Sequence, residues 1–484
     1  MANNIINFRI AYKVISKNLF IVGFALLFSI LIALIYSEAI WPFALSASLA
    51  FLFGWILTKL KPAKENGMPI QKRDAYFAVT FSWLLISLIG SLPYLFSGTI
   101  PSVIDAIFES VSGFTTTGSS ILTDIEALPK SILFWRSLTH WIGGIGIIVL
   151  VIVVMPSLQI GGYQLFTLES SLQEKIQPRI KSVGFRLLVI YLILTVAEIA
   201  LLLLGGMNLY ESVCHAFGTI ATGGFSPKNT SIAGYSPYIQ YVVMIFMLLA
   251  GTNFVIHYYF LKRQFKKIKR NDELKFYLLM VFGLGTLITA TLFFNMQKPL
   301  EESFREAFFQ VISIVTCTGY ATADYMQWPL YAWLIIFFAM FLGGSTGSTA
   351  GGIKMARHLL LFKNIGRIFR KLASPKAIIV VRLNKAKVSE EMNSSIMTFI
   401  TVYLLIFAAG SLLLVFNGVD GQTAASSVAT CMAGIGPGLG SVGPVGNFAH
   451  LPALSKIILS FLMIVGRLEI YTVFMLFSKS FWRR

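Results

Sequence analysis

Charge is what this chain has least of. Only 12% of its 484 residues are Asp, Glu, Lys or Arg, against about 25% in soluble domains, and the mean hydropathy is +0.75. No soluble core of this size needs so few charges, so the chain is read as a polytopic membrane protein. Cysteine is nearly missing too: Cys214, Cys317 and Cys431 have no metal-ligand spacing and read as small buried thiols, not a disulfide framework. The five histidines are scattered and form no motif. A cleavable leader is not expected either. Arg9, Lys13 and Lys17 precede an apolar run from about Leu19 to Ile35 with no A-x-A site, and a second run follows at once, which predicts a retained span.

Ten apolar spans are predicted near residues 19–36, 39–58, 75–96, 131–155, 184–204, 237–261, 274–295, 329–362, 394–416 and 453–478. Of the chain's 39 Lys and Arg, 32 fall at the termini or in the connectors 59–73, 175–186, 262–275 and 354–387, all on one side of this topology. Basic residues accumulate in cytoplasmic loops, so both termini are expected inside. The formal charge of +18 is thereby accounted for without nucleic acid, since no aromatics are interleaved with the basic residues to stack bases. On the other side 11 acidic residues face 6 basic ones, from Glu38, Asp105 and Glu109 to Asp324 and Asp420. Two readings stay open for them: a mouth that concentrates cations, or partners for helix dipoles.

The remaining outer stretches repeat. A thirteen-residue frame, Ala106–Gly118, returns as Glu211–Gly223, Ala307–Gly319 and Ala424–Gly436, each time between two apolar spans. It is an apolar helical piece too short to cross a bilayer, ending in small residues and a glycine; in the fourth copy Gly434 is also available as the closing glycine. Non-helical backbone survives at membrane depth only where protein buries it or a watery cavity receives it. Small-residue helix packing would explain one such loop but poorly explains four. The closing segments are Thr115, Thr116, Thr117 and Gly118; Ile220, Ala221, Thr222 and Gly223; Thr316, Cys317, Thr318 and Gly319; and Ala433, Gly434, Ile435 and Gly436. Their side chains differ while the last glycine does not, so any ion they bind must be held mainly by backbone carbonyls. Carbonyls without carboxylates suit a monovalent cation, K⁺ ahead of Na⁺ because K⁺ sheds its water more readily.

A second stretch, Gly343 to Gly352 (GGSTGSTAGG), lies inside the eighth span. Each glycine there costs a helix about 1 kcal/mol relative to alanine, so the helix should break. It is not a phosphate-binding loop, because Lys354 follows Ile353 and precedes Met355. Nor is Ser345 or Ser348 a credible nucleophile, the nearest histidine being His358. Close packing of small residues is the bland alternative. Arg467, at membrane depth in the last span, needs pairing or hydration, and carbonyls of the 343–352 segment can supply it. Glu198 reads equally as a buried packing carboxyl; Glu469 lies on a different helix face from Arg467.

The run FESVSGFTTTGSS, the three other loops and the broken span resemble the Trk/Ktr/HKT superfamily of potassium transporters over essentially the whole chain. The N-terminal hairpin and Gly436-Pro437-Gly438 resemble its bacterial TrkH branch. The resemblance implies an all-α polytopic membrane protein: an N-terminal two-helix hairpin (1–70), then four units of membrane helix, pore loop and membrane helix (71–160, 180–265, 271–372 with a broken second helix, 390–484) around a pseudo-fourfold pore. It implies filter glycines at Gly118, Gly223, Gly319 and Gly436. It also implies a pore-blocking loop formed by Gly343, Gly344, Ser345, Thr346, Gly347, Ser348, Thr349, Ala350, Gly351 and Gly352, with Arg467 beside it. No loop carries the full Thr-Val-Gly-Tyr-Gly of tetrameric potassium channels, only Gly319-Tyr320 echoing it, so a shorter cage and less strict discrimination are expected. K⁺, with Rb⁺ as its surrogate, is the expected transported ion in a bacterial inner membrane, with no covalent cofactor. Expected partners are membrane lipids at the basic connectors, a second copy in a homodimer, and a cytosolic TrkA-like nucleotide-binding (RCK) subunit. The alternative is a K⁺ symporter coupled to Na⁺ or H⁺, for which Glu198 and Glu469 read as too isolated to form a relay.

Overall fold

The computed structural model describes residues 7–60, 72–149 and 180–482. The connectors 61–71 and 150–179, with part of the assigned inside charge and the end of the fourth span, lie outside the described residues, as do Arg483 and Arg484. Among the described residues the only strands are a small antiparallel hairpin pairing Arg382 with Lys387 and Leu383 with Ala386. The rest of the regular structure is helical, as expected.

Among the described residues six helices are long and apolar enough to cross a bilayer: Ala11–Ile35, Trp41–Lys59, Arg73–Phe96, Gly184–Leu204, Asp272–Asn295 and Glu390–Phe416. At about 1.5 Å per residue each spans roughly the hydrocarbon layer. Large side chains such as Phe24, Leu31, Phe282 and Leu405 stand exposed on them, which lipid tolerates and water does not. The first two form the expected hairpin, with Gly23 against the Phe51 ring and Ser16 Oγ donating to Gly54 O at 2.8 Å. Glu38, at its turn, caps the helix Lys130–Val149 by accepting from Lys130 N (2.7 Å) and Ser131 N (2.9 Å).

Each repeat dips inward through a short pore helix: Val103–Phe114, Leu209–Ile220, Leu300–Val315 and Gly421–Ala433. Their starts follow from sequence. Ser102, Asn208 and Asp420 accept from the amides of Asp105, Glu211 and Thr423, and carboxylates occupy the first turn of the first three, where the helix dipole favours them.

The return helices correct the expected topology. Only the span at 329–362 was predicted to break, and it does, between Leu330–Ala339 and Met355–Ala373. The spans at 237–261 and 453–478 break as well, bending by 100° between Pro237–Ala250 and Phe254–Leu261 and by 113° between Ala453–Arg467 and Ile470–Phe477. The causes are specific contacts. Gly251 is wedged against Thr316, and Asn253 restarts the helix by accepting from Val255 N at 2.9 Å. Gly466 abuts Met432 O so closely that a Cβ would lie 2.0 Å from it, and Glu469 takes φ +60.

Candidate functional site

All four pore helices end in one backbone device. A carbonyl at the third residue from the end of the first three helices, and at the fourth from the end of the last, accepts from an amide five residues on: Thr117 N to Ser112 O (2.9 Å), Gly223 N to Gly218 O (2.8 Å), Thr318 N to Ser313 O (2.8 Å) and Ile435 N to Thr430 O (3.0 Å). This is Schellman closure, which places the preceding residue in the left-handed region. That residue is Thr116 (φ 52), Thr222 (φ 53), Cys317 (φ 57) and Gly434 (φ 71). Only the last is glycine. The other three each store about 1–2 kcal/mol of strain, which persists because the surrounding structure over-determines them.

Two residues later each chain turns again with positive φ, at Gly118 (+81), Gly224 (+79), Gly319 (+81) and Gly436 (+99). The second repeat therefore sits one residue later than the thirteen-residue frame places it: Gly224, not Gly223, is the equivalent of Gly118. Gly223 takes the place of Thr117, and Ile220 ends the pore helix. Two adjacent glycines hide the register, and aligning on the later one recovers it.

These glycines also join the repeats. A Cβ on Gly118 would lie 2.1 Å from Gly223 O, one on Gly224 2.0 Å from Thr318 O, one on Gly319 1.8 Å from Ile435 O, and one on Gly436 3.0 Å from Thr117 O. The carbonyls of Thr117, Gly223, Thr318 and Ile435 thus form a closed circuit, first repeat to second, third, fourth and back. The hydroxyls are spent elsewhere: Thr115 and Thr316 donate to Val111 O and Ile312 O at 2.7 Å, and each lies within 2.8 Å of the hydroxyl of Thr117 or Thr318. Backbone oxygens form the circuit.

Side chains behind the ring tie neighbouring repeats. Tyr320 Oη donates to His215 O at 3.0 Å, Tyr325 Oη to Gly438 O at 2.6 Å, and Ser119 Oγ to Gly436 O at 3.2 Å. Arg136 binds Ser226 O at 3.2 Å and Glu109 at 2.7 Å, stacks on Phe225 at 3.8 Å, and is buried with Glu109. Glu109 in turn accepts from Ser120 Oγ and Ile121 N at 3.0 Å, fixing the segment that leaves the first loop. The sequence left the outer acids between a cation-concentrating mouth and helix-dipole partners; Glu109 and Arg136 form a buried brace. The other outer acids are also engaged: Asp105 by Lys456, Glu126 and Glu211 by Lys228, Glu302 and Glu306 by Lys298, Glu301 by Arg305, Asp124 by Asn229, and Glu38, Asp324 and Asp420 as caps. Each of these acids thus has a local partner.

Directly against the ring runs the break of the third repeat, residues 340–354. Thr349 Oγ1 lies 3.0 Å from Ile220 O, and a Cβ on Gly351 would be 1.9 Å from Ala433 O, so the segment touches the second and fourth turns at once. Ser345, Ser348, Thr349 and Ala350 are buried. Arg467 donates to Thr349 O at 2.7 Å and to Gly143 O at 3.0 Å, the carbonyl pairing its depth called for. Sequence reasoning missed three residues here. Lys354, in a left-handed conformation at φ +82, turns its ammonium onto Ala350 O. Glu469 is not isolated but pairs with Arg357 at 2.6 Å. Glu273 binds backbone amides of the segment. Glu198 is fully buried in its helix, with neither carboxylate oxygen hydrogen-bonded.

Residues 46–484 match the family model described as "TrkH: Cation transport protein". The chain belongs to the TrkH family. Among relatives of this TrkH-family chain, the Trk system potassium uptake protein TrkH of Escherichia coli K12 is 36% identical over 427 residues, 87% of this chain and 88% of that protein. The protein of the same name from Halomonas elongata is 33% identical over 482 residues, 98% and 99% of the two chains. The crystal structure of the potassium transporter TrkH from Vibrio parahaemolyticus superposes with a TM-score of 0.90 at 31% identity, covering 99% of this chain and 100% of that one. The TrkH-family chain is thus a multi-pass membrane transporter, not an enzyme.

Proposed function

We propose that this protein takes up K⁺ through a pore whose selectivity filter is the carbonyl circuit of the four return loops. The observation that carries the reading is closure itself: four oxygens, at Thr117, Gly223, Thr318 and Ile435, each packed closely against a neighbouring repeat's glycine. Such a ring can replace the water of a bare monovalent cation, and no carboxylate lies in it to favour a divalent one. The filter segments are Thr115–Gly118, Ala221–Gly224, Thr316–Gly319 and Ala433–Gly436. The segment 343–352 acts as the gate. It lies against two filter turns, and Arg467 holds it through Thr349 O while adding positive charge on the path of a leaving cation. Ions enter from the face bearing the pore helices, and the termini and basic connectors face the cytosol, where they meet anionic lipid and a nucleotide-binding regulatory subunit. Glu469, on which a proton-coupled symport would call, is bound to Arg357.

Tracer flux in liposomes tests both halves. The parent should pass Rb⁺ and exclude Na⁺, and Gly319→Ser should collapse that ratio; an unchanged ratio rejects the filter. Arg467→Gln or removal of residues 346–350 should raise basal Rb⁺ flux, and a well-folded variant with parental or lower flux rejects the gate.

A further inference from the structure

The 340–354 segment is fastened by a residue with no part in the ring. Glu273 sits in the first turn of Asp272–Asn295, a helix capped by Asn271 Oδ1 on Leu274 N at 2.7 Å, where the dipole favours a carboxylate. Its side chain is buried, and one oxygen accepts two backbone amides: Thr346 N at 2.6 Å, inside the segment, and Ala356 N at 3.0 Å. Ala356 N belongs to the opening turn of Met355–Ala373, whose first amides have no partner within the helix. A single atom therefore clips the loop to the helix that follows it. Amide bonds to a carboxylate are the strong kind, roughly twice a neutral one.

The preceding residue faces elsewhere. Asp272 accepts from Lys363 Nζ at 2.9 Å, on that same following helix, and from Asn384 N at 3.1 Å, and it donates its own amide to Asn384 Oδ1 at 2.7 Å. Asn384 is the turn of the 382–387 hairpin. Two consecutive residues thus bind the loop, the helix after it and the hairpin that helix leads to.

We propose that Glu273 is the latch of the gate, a positioning residue that holds the loop against the filter, and that Asp272 makes this helix end the joint through which the hairpin acts on it. A pull that swings Met355–Ala373 away draws Ala356 N and Thr346 N off the same oxygen, so the loop is released in one step. The inference rests on the gating reading above.

Basal Rb⁺ uptake by the reconstituted full-length protein tests it. Glu273→Ala should raise uptake by about tenfold or more, the scale of two lost charge-assisted bonds. Glu273→Gln, which keeps a weaker neutral acceptor, and Asp272→Ala, which frees the hairpin alone, should each give a smaller rise. The Rb⁺/Na⁺ ratio should stay parental in all three. Parental flux in both Glu273 variants, alongside raised flux in the 346–350 deletion, overturns the latch and leaves the gate standing. Parental flux in the deletion as well overturns both. A larger rise for Asp272→Ala than for Glu273→Ala, or an altered ion ratio, also overturns the latch. Should Glu273→Ala not fold, Glu273→Gln decides.

Discussion

The carbonyl ring and the loop against it are made of the same glycine-rich, hydroxyl-rich material but are held in opposite ways. The ring is built four times over. Each turn is fixed by backbone closure onto its own pore helix and by contact with the next repeat, so no single side chain carries it. The loop occurs once; two backbone bonds, Ser345 N to Gly251 O and Phe254 N to Gly347 O, tie it to the second repeat's break, and side-chain contacts that include Arg467, Glu273 and Thr349 on Ile220 O add to them. On the proposed reading, redundancy suits a filter, whose geometry must not vary, while fastenings made once suit a gate, which has to let go. Strain crosses that division: Thr116, Thr222 and Cys317 hold positive φ in the ring, and Lys354 holds it in the loop.

The comparison breaks first at the brace behind the ring. Glu109 and Arg136 are buried together, so removing one leaves an unpaired buried charge; Arg136→Ala should cost about 3–5 kcal/mol. Thermal unfolding in detergent measures this. A loss near zero would mean that backbone closure alone sustains the first loop.

The next test separates two adjacent glycines. Gly224→Ala puts a Cβ 2.0 Å from Thr318 O at φ +79, whereas one on Gly223 meets the His140 ring at 2.5 Å and points away from the circuit. Gly224→Ala should therefore lower the Rb⁺/Na⁺ flux ratio by about tenfold, near 1.4 kcal/mol of discrimination. Gly223→Ala should reduce folded protein with less change in ratio. The reverse order would restore the frame that ends on Gly223.

The smallest effect lies at the ring's outer rim. Burial alone would raise the Glu211 carboxyl, but hydrogen bonds from Tyr235 and Asn208 together with Lys228 hold it below its ordinary 4.5; Glu211 in turn raises Lys228. A depressed carboxylate contributes stability above its ordinary value and loses it as pH falls through the lower folded one. The raised Lys228 keeps its contribution until pH climbs past its ordinary 10.5. Both groups are partly exposed, so the pair is worth under about 1 kcal/mol. The melting-temperature gap between parent and Glu211→Gln should close on acidification from about pH 6 to about pH 3. A gap that widens would show the pair to be unfavourable.

What could be read from the chain divides along the same line. The four bends were legible because the backbone itself demands glycine or small residues at fixed spacing, and the break at 343–352 because five glycines cannot favour helix. The breaks after Ala250 and Arg467 were not, because no composition marks them: they arise where Gly251 and Gly466 meet Thr316 and Met432, far away in sequence. The two readings of the outer acids stayed open for a related reason. Glu109 and Arg136 lie 27 residues apart, and nothing local distinguishes a buried brace from a solvated rim. Arg467 could be anticipated because an arginine at membrane depth must find carbonyls, whereas Glu273 sits at a helix start, where an ordinary dipole partner is the expected reading.

That one polypeptide supplies every quadrant of the circuit has a further consequence. In a pore assembled from identical subunits any substitution is multiplied by the symmetry, so small departures come only in sets. Here Gly434 can occupy the seat that Thr116, Thr222 and Cys317 hold elsewhere, and one quadrant alone can carry an obstructing insert. Selection, or an experimenter, can therefore adjust the passage a quarter at a time, with subunit stoichiometry around the axis settled at translation.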